Sequence, residues 1–361
     1  MTAYTYPIKF SEDDRSFIEG SLNLEKPLPY KTKKPEGSGF YRPGQILLGD
    51  ITNLELVFYH TPSTARFIYI ENRKPEPRMM EFIGMQPEEL ENVEKLSLPG
   101  QVWMGAGRAN LMWKAMQDIF NAPPLKETIT SHRQENLAIF PIAREGLKYQ
   151  VPEAIYETYG YYTDEVILDA HHVFDSSVPV YNRKVEMTLF KDKDLNQPQH
   201  DDVKIAFIAD SIASGLVMKE VIIRIKERFR NLERVEVLAP LATIRGLSRI
   251  ADSECRNGVK VRVHIFETIL NALPPDYYYS AHFNIPELHI RPDLEAIYRD
   301  WWGVDDNGKQ IADTTCAGYG WSEAFYSPRK QIEMINEQLT SRHNLTIAEM
   351  VRRNMQKATH G

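Results

Sequence analysis

Short apolar runs alternate with amphipathic stretches in the middle of the chain. Residues 216–229 form one such stretch, because Val217, Val221 and Ile225 recur there at helical spacing. The alternation predicts an α/β core, in which helices flank a central parallel sheet. The apolar runs are each typical of a buried parallel strand and lie at 137–142, 204–209, 235–241 and 259–266.

The first third of the chain has a different pattern. Residues 25–45 are rich in Pro, Lys and Gly, which favours an irregular extended segment. Two runs rich in β-branched and aromatic residues, 54–59 and 65–70, flank a turn-forming segment and predict a hairpin. We therefore predict an N-terminal β-rich addition over residues 1–95.

Helices are predicted before and after the apolar runs. Apolar residues recur at helical spacing over 108–121, and Pro123 ends that helix. Near the C-terminus, Ser327 followed by a proline and a capping box that begins at Thr346 each predict the start of a helix. These elements predict three consecutive domains, namely the β-rich extension at 1–95, the α/β core at 96–305, and a C-terminal loop and helical extension at 306–361.

Composition and charge narrow the class of protein. The 361 residues are 42% apolar and 26% charged, as in a soluble globular protein of two or three domains. The 43 Lys and Arg against 50 Asp and Glu argue against nucleic-acid binding, since phosphate backbones are bound by clustered cations. Only Cys255 and Cys316 are present, so we expect no disulfide framework. No uncharged apolar run approaches the ~20 residues of a membrane helix. The N-terminus also lacks a signal-peptide pattern, so a cytoplasmic location without membrane contact is expected.

The segment 204–217 carries the clearest chemical signal. An apolar strand ends at Asp210, a short loop with two serines and a glycine follows, and a helix then begins. Backbone N–H groups at a helix N-terminus form a natural cradle for a phosphate. The alternative is that Ser211 and Ser214 only cap the helix. Spacing alone leaves both interpretations open.

Residues 208–215 resemble the ribose-phosphate loop of the type I phosphoribosyltransferases, whose usual pattern is two acidic residues, three variable ones and Thr-Gly-Gly-Thr. Residues 140–147 resemble the pyrophosphate loop of the uracil enzymes in that family. Residues 181–186 resemble the Arg-Lys-Glu strand of the orotate enzymes. The strand and helix at 235–247 and the segment 299–303 also resemble parts of the uracil enzymes.

The resemblance covers about residues 130–305 and implies a fold and an activity. The implied fold is a type I phosphoribosyltransferase-like parallel sheet. The implied reaction transfers a phosphoribosyl group from phosphoribosyl pyrophosphate to a planar nitrogenous base and releases pyrophosphate. The family resemblance further implies Mg²⁺, bound through the pyrophosphate of the substrate, and a homodimer. No metal site made by the chain itself is predicted, because the neighbouring His171 and His172 point in different directions.

The resemblance also assigns roles to individual residues. Catalysis falls to Asp210, Arg144, Arg183 and Lys184. Phosphoribose binding falls to Asp210, Ser211, Ile212, Ala213, Ser214, Gly215 and Leu216. Pyrophosphate binding falls to Arg144, Glu145, Gly146, Arg183 and Lys184, and base binding to Tyr298, Asp300, Trp301 and Tyr319.

The loop departs from the family pattern at three positions. Ala209 replaces the first acidic residue, Leu216 the second glycine and Val217 the closing threonine. A non-catalytic regulatory protein that binds a nucleotide or phosphoribose on the same fold is therefore the second hypothesis. A third is an unrelated α/β enzyme, such as a hydrolase that uses Asp210 or Cys316.

Overall fold

The computed structural model describes most of the chain. The chain forms two compact units that interleave along the sequence. Unit 1 contains Met1–Thr61 and Met116–Ile269, and unit 2 contains Pro62–Ala115 and Leu270–Gly361. The predicted domains were consecutive segments, so the observed units follow a different division. The described residues are 4–8, 20–33, 38–48, 51–91, 93–178, 182–189, 202–252, 258–269, 271–273, 278–280, 290–312 and 325–360.

The strands are numbered in chain order. They are β1 (Tyr4–Ile8), β2 (Gly20–Leu24), β3 (Leu28–Lys31), β4 (Ser38–Leu48), β5 (Ile51–His60), β6 (Ile70–Arg73), β7 (Leu96–Pro99), β8 (Leu137–Pro141), β9 (Asp164–Glu165), β10 (Leu168–Phe174), β11 (Arg183–Leu189), β12 (Ile205–Ala209), β13 (Arg234–Leu238), β14 (Lys260–Phe266), β15 (Asn271–Leu273) and β16 (Tyr278–Ser280).

The helices are numbered in the same way. They are α1 (Pro62–Ile68), α2 (Pro77–Ile83), α3 (Gly105–Phe120), α4 (Pro123–Thr130), α5 (Val151–Tyr159), α6 (Leu216–Arg228), α7 (Ile244–Ile250), α8 (Pro292–Trp302), α9 (Pro328–His343) and α10 (Ile347–His360). Short 3₁₀ helices occur at Pro87–Leu90, Gly100–Val102, Gln134–Asn136 and Glu145–Tyr149.

Unit 1 is built on a mixed sheet whose central part is parallel. Its strand order is β1-β2-β4-β5-β14-β13-β12-β8-β9, with β3 paired to β4. Neighbours from β5 to β9 in this order are parallel, and β1 to β4 add antiparallel pairs on the β5 side. The prediction of a mostly parallel central sheet flanked by helices is therefore confirmed.

Both faces of the central strands are covered. Every residue of β8 and of β12 is buried, as expected for a strand packed on both sides. The ring of Phe140 on one face lies 5.5 Å from Phe229, which follows α6. The ring of Phe207 on the other face lies 6.2 Å from Phe120, at the end of α3. The apolar runs of the sequence thus form the core of unit 1.

The predicted hairpin over 54–59 and 65–70 is wrong in its second half. Strand β5 contains the first run, but helix α1 replaces the second strand. Pro62 occupies the first turn of that helix, where its missing N–H costs nothing. The helix buries Phe67 and also Ala65 and Ile68, which are three residues apart, so the apolar residues of the run fit one side of a helix. Strand β5 pairs with β14, so the first of the two runs belongs to the central sheet.

Unit 2 contains the predicted C-terminal helices. The capping box is present, since the Thr346 N–H donates to Glu349 Oε2 at 2.6 Å and the Glu349 N–H donates to Thr346 Oγ1 at 3.3 Å. The core of this unit includes the buried side chains of Trp103, Tyr298 and Trp302. Across the described part of the chain, none of the helices has the length and apolar character needed to cross a membrane.

Candidate functional site

Three neighbouring parallel strands end at the same edge of the sheet in unit 1. Ala209 is in register with Pro141 of β8 and with Leu238 of β13, so the segments that follow these strands lie side by side. The Ile142 N–H donates to Ala209 O at 3.0 Å, and the Asp210 N–H donates to Leu238 O at 3.2 Å. Ligands bind at this edge in open parallel sheets, and the predicted loops are both found here.

The loop after β12 is attached to the segment that precedes α7. The Ile212 N–H donates to Leu241 O at 2.9 Å, and the Thr243 N–H donates to Ile212 O at 3.0 Å. Thr243 Oγ1 donates to Ala213 O at 2.5 Å, and the Arg249 guanidinium donates to Ser214 O. The backbone of Ile212 is therefore used for pairing and is not left for a phosphate.

Two glycines allow the loop and α7 to approach each other. A Cβ on Gly215, whose φ is +77°, would lie 2.6 Å from Gly246 O. A Cβ on Gly246 would lie 2.6 Å from Ala213 O. Any larger residue at either position would force the two backbones apart, so the sequence fixes the loop against α7.

Helix α6 begins immediately after this loop. Ser214 Oγ accepts a hydrogen bond from the Leu216 N–H at 3.4 Å, so Ser214 does cap the helix in part. The Ser211 hydroxyl is directed elsewhere, which corrects the capping alternative for that residue. The first N–H groups of an α-helix have no partner within the helix. The N-terminus of α6 therefore keeps the electropositive character that the phosphate hypothesis needs.

Glu145 lies in the segment after β8 and makes a compact cluster of oxygens. Its Oε1 accepts hydrogen bonds from Ser211 Oγ at 2.6 Å and from Tyr149 Oη at 2.7 Å, and these two hydroxyls are 2.9 Å apart. Gly146 brings the segment close, because a Cβ there would lie 1.9 Å from Ala209 O. Glu145 is 6% exposed, so its carboxylate needs hydrogen-bond donors, and these two hydroxyls are among them.

Asp210 is the second carboxyl group of the site. Its pKa is raised well above the usual 3.8 by burial and by the negative charge of Glu145, against a hydrogen bond from the Ser211 N–H that lowers it. Burial and the charges of Glu145 and Asp210 also raise the pKa of Tyr149. The charge of Glu145 thus acts on Asp210, and the hydroxyl of Ser211, the next residue, donates to Glu145 Oε1.

The cationic residues predicted to bind pyrophosphate, Arg144, Arg183 and Lys184, lie on different segments of unit 1. Arg144 follows a cis Ala143–Arg144 peptide bond, precedes the 3₁₀ helix and has an exposed side chain. Arg183 and Lys184 are successive residues of β11, so they point to opposite faces of the β10–β11 hairpin. Lys184 Nζ lies 3.3 Å from Glu186 Oε1, and both side chains are about half exposed. The structure therefore does not bring Lys184 to the face that carries Arg183.

The Arg183 face of the hairpin also carries His172. Arg183 is in register with Phe174, and His172 is in register with Val185. Partial burial lowers the pKa of His172, and the positive charges of Arg183 and Arg249 lower it further. Arg249 also donates to Ser214 O in the loop between β12 and α6. Its charge therefore acts both on this loop and on His172 of the hairpin.

The predicted base-binding residues belong to unit 2. Tyr298 is fully buried and donates to Gln101 Oε1 at 2.9 Å, and Trp301 is 4% exposed and donates to Ser97 O at 2.8 Å. Both rings are part of the core here, so neither leaves a face open for a stacked base. Asp300 is exposed and its Oδ1 lies 3.6 Å from Lys357 Nζ. Tyr319 is outside the described residues.

A second buried carboxylate lies inside the sheet, away from the strand ends. Glu236 Oε2 accepts from His264 Nε2 at 2.8 Å, and Glu236 Oε1 accepts from Thr128 Oγ1 at 3.0 Å. Burial raises the pKa of Glu236, but His264 and the cations Arg262 and Arg234 lower it overall. Arg262 Nη1 and Arg234 Nη1 lie 3.5 and 3.7 Å from Glu236 Oε1.

His264 continues this buried cluster to Tyr59. Tyr59 Oη lies 2.7 Å from His264 Nδ1. Burial lowers the pKa of His264 despite the neighbouring Glu236, so the imidazole is neutral. A neutral ring that donates from Nε2 to Glu236 accepts at Nδ1 from Tyr59. Arg262 Nε also lies 3.0 Å from Glu55 Oε2, so the cluster combines two carboxylates with two guanidinium groups.

Several residues of the site have no signal in the sequence. Tyr149 lies four residues after Glu145, which is one helical turn, but nothing in the sequence shows that the turn is folded. Thr243 and Arg249 contact the loop only because α7 folds back onto it. Magnesium remains a prediction. Within the described ranges, no three or more His, Cys, Asp or Glu residues converge where they could hold a metal ion.

Comparisons with known proteins give no family. No protein-family model matches the chain, and no curated protein matches it. Among solved structures, the chain is similar to a crystal structure described as a hypothetical protein from Neisseria gonorrhoeae with bound ppGpp. The sequence identity is 11%, the match covers 54% of this chain and 95% of that chain, and the TM-score is 0.30. The function is therefore argued from the residues of this chain.

Proposed function

We propose that unit 1 has a type I phosphoribosyltransferase-like fold and transfers a phosphoribosyl group from phosphoribosyl pyrophosphate to a planar nitrogenous base. The observation that carries the proposal is the loop between β12 and α6. It joins a buried parallel strand, Asp210 and a helix N-terminus at the carboxyl edge of the sheet, and α7 holds it there. This is the arrangement in which backbone N–H groups bind a phosphate.

Charges around the loop support a polyanionic substrate. Arg144 follows the neighbouring strand and is exposed to solvent. Arg183 lies on the hairpin face that reaches toward Arg249 and the loop. As the bond from ribose C1 to pyrophosphate breaks, negative charge grows on the leaving group. Guanidinium groups at this edge would stabilise that charge.

Magnesium has a place in this proposal as part of the substrate complex. When bound to the pyrophosphate it would neutralise part of the leaving-group charge. The residues of this chain then position the ribose phosphate on α6 and the pyrophosphate beside Arg144 and Arg183. A cytoplasmic location remains a prediction from the sequence, and a homodimer remains a prediction of the family resemblance.

The test is calorimetric titration of the protein with phosphoribosyl pyrophosphate and Mg²⁺. We expect saturable binding in the wild-type protein. Arg183→Ala should weaken binding about tenfold, because a charge-assisted contact is lost. Lys184→Ala is the matched control, since its neighbour is Glu186 on the other hairpin face, and it should change binding by less than about twofold. Absence of binding at millimolar ligand would refute the proposal.

A non-catalytic sensor of a nucleotide or phosphoribose is the second candidate. The pairing of Ile212 with Leu241 and Thr243 favours it, because that pairing removes backbone groups from the cradle. Release of pyrophosphate with a panel of nitrogenous bases separates the two candidates. Binding of phosphoribosyl pyrophosphate without release for any base would support the sensor, and release would support the enzyme.

A further inference from the structure

Unit 1 contains a polar cavity of about 560 Å³ at the edge of the sheet where the parallel strands begin. The first residues of β12, β13 and β14 line it, and they lie in register with one another. These residues are Ile205, Arg234 and Lys260. The loop before α6 lies at the opposite edge, where the strands end. Cavities of about 300–1,000 Å³ bind small molecules, so this cavity is a second candidate site, separate from the first.

Helix α4 and Ser131, which caps its C-terminus, form a further wall of the cavity. The residues of this wall recur at the spacing of one helix face and are Pro124, Glu127, Thr128 and Ser131. Thr128 holds the wall against the sheet, because it is 6% exposed and its Oγ1 donates to Glu236 Oε1 at 3.0 Å. Hydroxyl and carboxylate groups therefore line this wall, and we expect a polar ligand.

The two arginines of the lining are already paired with carboxylates. Arg234 Nη1 and Arg262 Nη1 lie 3.7 and 3.5 Å from Glu236 Oε1. Arg262 Nε also lies 3.0 Å from Glu55 Oε2. Because Glu236 is fully buried, its charge needs neighbouring cations. The arginines therefore belong to the buried cluster, which leaves other residues of the lining to bind a ligand.

Glu233, the acid that precedes β13, is paired as well. Its Oε1 lies 2.9 Å from Lys204 Nζ, and its Oε2 lies 3.8 Å from His132 Nε2. The hydrogen bond from Lys204 lowers the pKa of Glu233, so this carboxylate is ionised beside the lysine. The charge of Glu233 is therefore offset within the chain.

Glu127 and Lys260 are the remaining charged residues of the lining, and both side chains are exposed. Among the described residues, no oppositely charged group lies within 4 Å of either, and the two do not pair with each other. The cavity therefore presents one negative and one positive group that are separate. A ligand with a single charge gains at one group and is repelled at the other. A ligand with both an ammonium and a carboxylate gains at both.

We propose that this cavity binds a free α-amino acid, with its ammonium group at Glu127 and its carboxylate at Lys260. Each contact is a charge-assisted hydrogen bond, the stronger kind in proteins. Ser131 adds a hydroxyl that donates or accepts, and Pro124 and Ile205 add apolar surface. The cavity is at the other end of the strands from Asp210, so this site does not depend on the proposed function.

Saturation-transfer NMR of the full chain with each standard L-amino acid in turn tests the proposal, without phosphoribosyl pyrophosphate. We expect at least one amino acid to bind with a Kd below about 1 mM. The α-carboxamide of that amino acid lacks the carboxylate, and its N-acetyl derivative lacks the ammonium group. Each should bind about tenfold more weakly, because one charge-assisted hydrogen bond is lost.

Two variants assign the charges to their residues. Glu127→Gln and Lys260→Gln should each weaken binding of the amino acid about tenfold in calorimetric titration. Glu127→Gln should leave binding of the N-acetyl derivative unchanged, since the pair is already broken in that ligand. The matched controls Glu135→Gln and Lys126→Gln remove exposed charges outside the lining and should change binding by less than about twofold.

Three outcomes would overturn the proposal. The first is that no standard amino acid binds at about 10 mM. The second is that the bound amino acid keeps its affinity in Glu127→Gln or in Lys260→Gln. The third is that inorganic phosphate binds more tightly than any amino acid and requires Lys260, which would make this a site for anions alone. These titrations do not test binding of phosphoribosyl pyrophosphate, so their failure and the failure of the proposed function are separate results.

Discussion

Glu145 at the edge of the sheet and Glu236 in its interior are both buried, and each accepts two hydrogen bonds from side chains. Their electrostatic surroundings are opposite. Glu236 lies within 4 Å of two guanidinium groups, and its pKa is lowered. Glu145 lies beside Asp210, whose pKa is raised. Glu236 thus lies among cations that offset its charge, whereas the charge of Glu145 raises the pKa of a second carboxyl group.

The difference separates a structural cluster from a functional candidate. A buried carboxylate that lies beside cations needs no functional explanation, since hydrogen bonds and cations offset the cost of its desolvation. A carboxyl group beside a carboxylate costs stability when both are ionised, and such costs are concentrated at sites that bind or react. Removing the negative charge should therefore lower the stability at Glu236 and raise it at Asp210.

Glu236→Ala should give the largest effect. It leaves Arg262, Arg234 and His264 without the carboxylate, so the free energy of unfolding should fall by about 4 kcal/mol. Denaturant unfolding followed by circular dichroism measures this loss. Glu236→Gln keeps the shape but not the charge and should lose less. If Glu236→Ala lowers the free energy of unfolding by less than about 1 kcal/mol, then Glu236 contributes little to the stability of this cluster.

Gly146→Ala should have the next largest effect. The new Cβ would lie 1.9 Å from Ala209 O, so the segment that carries Glu145 must shift away from β12. We expect a loss of about 2–3 kcal/mol. The shift should also lower the pKa of Asp210, because the two carboxyl groups separate. Gly107→Ala in α3 is the control, since its nearest atom is the flexible end of Arg73 at 3.4 Å. Equal losses in both variants would contradict the close approach.

Tyr59→Phe and Tyr149→Phe compare the same change in the two clusters. Tyr59→Phe leaves His264 Nδ1 buried without its donor, and should cost about 1.5 kcal/mol. Tyr149→Phe should cost less than about 1 kcal/mol, because Ser211 still donates to Glu145. Thermal unfolding of the two variants side by side measures the difference. A larger loss for Tyr149→Phe would reverse the comparison.

The local patterns predicted the elements of the sheet well. Strands β8, β12, β13 and β14 and helix α6 follow from apolar runs and helical spacing, because these signals are local. The hairpin at 65–70 failed, since a short apolar run fits a helix and a strand equally, and Pro62 decided for the helix. The interleaved units could not be predicted, because they depend on contacts between distant parts of the chain.

The site was predicted in outline but not in its chemistry. Asp210 and the loop before α6 lie where strand order places them. Glu145 was predicted only to bind pyrophosphate. Its contact with Ser211 spans 66 residues and exists only because the strands before these two residues pair. Lys184 shows the converse, because neighbours in sequence lie on opposite faces of a strand.

Asp210→Asn should act in the opposite direction to Glu236→Ala. The folded protein holds the Asp210 proton more tightly than the unfolded chain does, because its pKa is raised above 3.8. The wild-type protein therefore loses stability as pH rises from the unfolded pKa through the folded one. An amide at this position does not ionise, so the variant escapes that loss. At pH 7 it should be more stable than wild type by about 1.4 kcal/mol for each pH unit by which the pKa is raised, and it should be no more stable at pH values below about 4. Thermal unfolding over this pH range measures the crossover. A gain that is the same at both ends would mean that packing, and not the charge beside Glu145, explains it.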